Sequence, residues 1–208
     1  RAMPKNLLPA DFYSVRQGHQ HMPLVFMLVL TQLSVGTFLA DFVLSRFSHV
    51  TGFTSLRPYL SMTGLAVGVL ALMASTLHLG RPQYAFRAII GLRTSWLSRE
   101  ILAFGAFAFA AFVYAASFWQ APLFAMLRLP ALPIASVQGA SLVLGVVVGV
   151  FGLAGVLCSV MVYQVTGREW WGGGRTAWRF MLTSAVLGPA TTMLVAAVTG
   201  ILLGLDVA

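Results

Sequence analysis

A chain of 208 residues that is 59% apolar and 9% charged, with a mean hydropathy of +0.87, lacks the polar coat of a soluble domain, which carries about 25% charged residues. A water-soluble enzyme, a disordered segment and a disulfide-stapled secreted module are all excluded, the last because Cys158 is the sole cysteine. The net charge of +8 lies in the gaps between apolar stretches, so anionic lipid headgroups or an acidic subunit are its expected counter-charges, and no nucleic-acid partner is expected.

In chain order, residues 1–21 form a polar arm and residues 22–208 a membrane domain. Five apolar stretches follow, at about 23–44, 58–79, 96–118, 136–163 and 178–203. Each is long enough to cross a bilayer, for which about 20 apolar residues suffice. An open-ended segment in lipid satisfies its own backbone only as a helix. The predicted fold is therefore all-α, a polytopic transmembrane helix bundle with five spans in this chain.

The first span is too long for the apolar core of a signal peptide and lacks a clear cleavage site. The chain begins with Arg1, which points to processing or to a longer polypeptide. Gly64 with Gly68, Gly145 with Gly149, and Gly200 with Gly204 are small-residue pairs expected to let helices approach. Pro189 is expected to kink the fifth span.

An odd number of spans lets the loop charges be sorted by side. Arg1, Lys5, Arg16, Arg81, Arg87, Arg93, Arg99, Arg168, Arg175 and Arg179 fall on one side, against Arg46, Arg57 and Arg128 on the other. The positive-inside bias then puts the N-terminus in the cytoplasm. A docking surface for an acidic subunit produces the same asymmetry.

Ionisable groups at membrane depth are costly and are functional candidates. His78 closes the second span and Glu100 lies one turn into the third, so with Arg81 and Arg99 they can converge in the basic leaflet. Glu100 is expected to be held ionised by its helix N-terminus and by Arg99. A His and a Glu at one apolar pocket can accept the two protons that a quinol loses with its electrons. Plain hydrogen bonding for His78, and an ion pair with Arg81 or Arg99 for Glu100, carry slightly more weight on composition alone.

The other polar groups point to less. Haem needs paired helical histidines, and of His19, His21, His49 and His78 only His78 is well inside a span, so no haem is expected. No Cys/His cluster has metal-ligand spacing, and Cys158 reads as a small packing residue. His19 and His21 read as solvated residues at the membrane edge. Gln32 is deep enough in the first span to need a hydrogen-bond partner, whereas Asp41 approaches the opposite face. Trp170 and Trp171 before Gly172-Gly173-Gly174-Arg175 read as an aromatic belt anchor, since the stretch lacks the strand and Lys-Ser/Thr of a phosphate loop.

The blocks His78-Leu79-Gly80-Arg81-Pro82, Ala85-Phe86-Arg87-Ala88 and Ser95-Trp96-Leu97-Ser98-Arg99-Glu100-Ile101 resemble the signature of the DmsC family, membrane anchors of dimethyl sulfoxide reductase-type molybdoenzymes. His21-Met22-Pro23-Leu24 with Gln32 and Gly36 is similar to that family's start. Met161-Val162-Tyr163, Thr166, Arg168 and Trp170 resemble its fourth-span exit, and Gly188-Pro189 its fifth span. The family typically has eight spans, and this chain resembles the first five.

The resemblance implies a haem-free anchor in a bacterial or archaeal cytoplasmic membrane that takes part in anaerobic respiration. It implies menaquinol or menaquinone bound in a pocket holding His78 and Glu100; beside them Arg81 and Gln32 are expected as orienting hydrogen-bond donors, and Ser75 and Trp96 as further binding residues. It also implies electrons passing to a ferredoxin-like subunit, or fused domain, with iron–sulfur clusters, and then to a molybdopterin catalytic subunit. The rival readings are a polysulfide-reductase (NrfD-like) quinone module, a transporter or proton pathway running through Asp41, His78 and Glu100, and a purely structural anchor.

Overall fold

A computed structural model describes residues 22–47, 52–78, 82–126, 128, 134–166 and 171–204. Among them are five helices long and apolar enough to cross a membrane and no strand. They are α1 (Met22–Phe47), α2 (Phe53–His78), α3 (Trp96–Met126), α4 (Ile134–Val165) and α5 (Gly173–Leu203). A short 3-10 helix, Pro82–Ile89, lies between α2 and α3. The helices outrun the apolar stretches by several residues. The second begins five residues before Pro58, which the helix tolerates inside it.

Helix α1 is the hub, packing on α2, α4 and α5, while α3 packs mainly on α4. Phe42 faces Gly145, Leu39 faces Gly149 and Val35 faces Gly152, which fixes α1 and α4 as antiparallel neighbours. The first two predicted glycine pairs serve packing: Gly64 receives the Phe38 ring and Gly68 the Ser34 hydroxyl. The third pair acts differently. Gly204 stands clear of other atoms at φ +62°, and its N–H caps Gly200 O at 3.1 Å, so it stops α5.

The closest approach is between Gly36 and Gly188. A Cβ on Gly36 would fall on the Ser184 carbonyl, and one on Gly188 would fall on the Gly36 carbonyl. Backbone therefore touches backbone, beside Pro189, through which α5 runs on. Lipid gives helices no hydrophobic drive to associate, so this close van der Waals contact is what joins α1 to α5.

The middle layer is apolar and interlocked. Val35, Phe38, Phe104, Phe107, Ala111, Val148 and Val156 are buried there. Phe38 meets Phe107 edge-on at 5.7 Å and Tyr114 at 5.8 Å, a favoured aromatic arrangement. Hydroxyls in this layer are spent on carbonyls: Ser34 donates across to Gly64 O at 2.7 Å, and Thr37 to Leu33 O at 2.8 Å.

Candidate functional site

Among the described residues, two buried polar clusters lie at opposite ends of the bundle. The first is at the end where α1 closes and α2 begins. Arg57 Nε donates to Asp41 Oδ1 at 3.1 Å, and Arg57 Nη2 donates to the Tyr114 hydroxyl at 2.6 Å. That hydroxyl donates in turn to Asp41 Oδ2. Asp41 is wholly buried, and the Arg57 guanidinium also lies over the Phe118 ring at 5.0 Å. The apolar stretches place Arg57 in a loop. It sits instead in the second turn of α2, because that helix starts at Phe53. In lipid a lone Asp41 carboxylate is untenable, and pairing is the physical solution.

The second cluster is at the basic end. Glu100 is only 6% exposed, and its carboxylate accepts a hydrogen bond from Ser159 on α4. The sequence explains why α3 and α4 come so close here. Gly155, one turn before Ser159, has no side chain, and the Phe104 ring, one turn after Glu100, lies against it. A Cβ on Gly155 would be 2.6 Å from that ring. The pairs Phe104–Gly155 and Glu100–Ser159 are thus two rungs of one antiparallel interface.

Gln32 belongs to the same level. The contacts of Phe42, Leu39 and Val35 step along α4 to Gly145, Gly149 and Gly152, so helical periodicity puts Gln32, one turn further, at the level of Val156. It is 3% exposed and has no side-chain hydrogen bond among the described residues. Since no wholly sealed polar atom there lacks a partner, the surface that remains to Gln32 includes its amide. The partner that its depth demands is therefore not found among the described residues.

The expected Arg99–Glu100 pairing does not form. Consecutive helical residues point about 100° apart. Arg99 instead donates to Leu92 O at 2.9 Å and Arg93 O at 3.1 Å, and lies 4.2 Å over the Trp96 ring. Trp96 opens α3, and Ser75 is half-buried in the last turn of α2, at the same end of the bundle. His78 is the last residue of α2, so its backbone is at this end too; its side chain, and all of Arg81, lie outside the described residues. Tyr163, one turn beyond Ser159, packs edge-on against Trp171 at 4.7 Å and Phe180 at 5.6 Å.

Glu100 and Tyr114 are separated by fourteen residues of α3, about 21 Å at 1.5 Å per residue. The phenylalanine and valine layer fills that interval. Asp41 and Glu100 therefore belong to separate clusters at opposite ends of the bundle. A third feature is an apolar groove of about 770 Å³ between α2 and α5, lined by Tyr59, Met62, Leu70, Trp119, Leu194 and Leu202. It opens in the half of the bundle that holds Asp41, and among the described residues its lining has hydroxyls but no carboxylate or imidazole.

The family model for the DMSO reductase anchor subunit (DmsC) matches residues 15–202. The chain belongs to the DmsC family. It is similar to a component of the anaerobic dimethyl sulfoxide reductase of Haemophilus influenzae, with 30% identity over 175 residues, 84% of this chain and 57% of that protein. A component of the sulfite dehydrogenase of Allochromatium vinosum is 32% identical over 115 residues, 53% of this chain and 34% of that protein. This DmsC-family chain thus spans about half or less of the length of these relatives. No solved structure matches it.

Proposed function

We propose that this chain is the quinol-reactive membrane anchor of a multi-subunit oxidoreductase, with the reaction at the Glu100 end of the bundle. Family membership supports an anchor role. One observation carries the site: a buried carboxylate holding a single serine donor, level with a buried amide that has no partner among the described residues. A quinol fits that donor set. A carboxylate has about four lone-pair sites, of which Ser159 uses one, so Glu100 can accept a quinol hydroxyl. Gln32 can bond the same headgroup as donor or acceptor.

Glu100 takes a proton as the quinol is oxidised, and His78 is the second acceptor, as the family resemblance implies. A buried carboxyl among apolar side chains keeps bulk water from competing for that proton. Menaquinol is the expected quinol. Electrons pass to an iron–sulfur subunit docked on the basic end, where Arg87, Arg93, Arg175 and Arg179 accompany exposed Phe86, Ile89 and Ile90. From there they reach a molybdopterin subunit. The membrane is the bacterial or archaeal cytoplasmic membrane, with the N-terminus inside.

The test uses the intact complex carrying Glu100→Gln, and separately His78→Ala. Quinol-driven turnover is expected to fall at least a hundredfold, the lower range for loss of a proton-transfer group. Turnover driven by a soluble donor that reduces the partner subunits directly should be unchanged. Normal quinol-driven turnover in both variants would overturn the proposal.

A further inference from the structure

We infer that Ser159 is a positioning residue for Glu100, whose hydroxyl serves the carboxyl group in both of its protonation states. The inference rests on the reading of Glu100 as a proton acceptor. A hydroxyl has one proton to give and two lone pairs to receive with. Ser159 Oγ has two acceptors in reach, the Glu100 carboxylate and the Gly155 carbonyl at 3.2 Å. It can donate to one of them at a time.

With Glu100 ionised, the Ser159 proton goes to the carboxylate, because a charge-assisted bond is the stronger one. When Glu100 gains a proton, its new O–H needs an acceptor at a position only 6% exposed, one turn from where the Phe104 ring lies against Gly155. Ser159 provides it by rotating its own proton to Gly155 O, the back-bond one helical turn away that serines in helices commonly make. Its Oγ lone pair then accepts from Glu100. One quinol O–H bond breaks and one carboxyl O–H bond forms, and the electrons leave to the iron–sulfur acceptor. Ser159 neither gains nor loses a proton; only its O–H direction changes.

The arrangement answers a specific difficulty. A buried carboxyl that changes charge must leave no polar atom unpaired in either state, since each such atom is costly in lipid. A lysine or arginine in place of Ser159 could serve only the ionised form, and a valine neither. Ser159 serves both because Gly155 O lies on its other side. Gly155 also admits the Phe104 ring that sets the distance between the helices. One glycine thus contributes both the helix spacing and the alternative acceptor.

The experiment compares Ser159→Ala, Ser159→Thr and Glu100→Gln in the intact complex. It reads quinol-driven kcat and KM, turnover from a soluble donor, and the infrared C=O stretch of protonated Glu100, assigned by its loss in Glu100→Gln. Ser159→Ala should lower kcat by about ten- to hundredfold, the effect of one hydrogen bond to a charged group, and move the C=O band to higher wavenumber. Ser159→Thr keeps the hydroxyl and should restore both. Should Ser159→Ala fail to assemble, Ser159→Cys, of similar volume but a weak donor, is expected to show the same lowered kcat and raised band. Wild-type kcat and an unmoved band in these variants, beside an inactive Glu100→Gln, overturn the inference alone. An active Glu100→Gln overturns the reading of Glu100 and the inference with it.

Discussion

The Phe104 ring lies on the bare backbone of Gly155, and one turn further along both helices Glu100 meets Ser159. At this end of the bundle the spacing of α3 and α4 is therefore set at Gly155 and read out by the Glu100 carboxylate. Any side chain at position 155 displaces an aromatic ring that is itself buried against Phe107, at a centroid distance of 6.4 Å.

Gly155→Val should push α3 from α4, break the Ser159–Glu100 bond and lower stability by about 1–3 kcal/mol, the usual cost of overpacking. Quinol-driven activity should fall with it. Adding Phe104→Leu, which vacates the space, should return part of both. Unfolding in detergent and quinol turnover measured on the same preparations check the pair.

Gln32→Met should leave the fold intact, because the amide makes no hydrogen bond among the described residues that would be lost. If it bonds the quinol, KM should rise by up to about tenfold, the value of one net hydrogen bond. A KM equal to that of the unmodified protein would remove Gln32 from the site.

Asp41, Arg57 and Tyr114 have a different role, fastening α1, α2 and α3 at the far end. Arg57→Met strands the wholly buried Asp41 carboxylate and should cost about 3–5 kcal/mol of stability. Replacing both partners, Asp41→Leu with Arg57→Met, should recover much of that loss. Quinol turnover per assembled complex should be unchanged in the double variant. Loss of turnover in a fully assembled double variant would instead place Asp41 on a proton route.

Much of this arrangement is legible in the sequence. Apolar runs alone mark five spans, and the position of Asp41 late in the first run separates it from Glu100 early in the third. Other features depend on pairings between helices, which periodicity does not encode. Tyr114 carries no signal of its own among the aromatic residues of α3, yet it completes the Asp41–Arg57 group. Ser159 is one small residue among many in α4. A hint exists in the matching four-residue steps, Glu100 to Phe104 and Gly155 to Ser159, but it has meaning only once α3 and α4 are known to pack antiparallel. The Arg99–Glu100 pairing fails for a local reason, since neighbours on a helix diverge and backbone carbonyls lie closer to Arg99.

Photolabelling the intact complex with a quinone that carries a photoreactive group on its ring locates where quinol reacts. Labelled peptides should come from α1 around Gln32, from the start of α3 and from α4 near Ser159. Excess unlabelled quinone should suppress them. Competable labelling confined to the groove of Tyr59, Trp119 and Leu202 would place the quinone at the other end of the bundle and exclude reaction at Glu100.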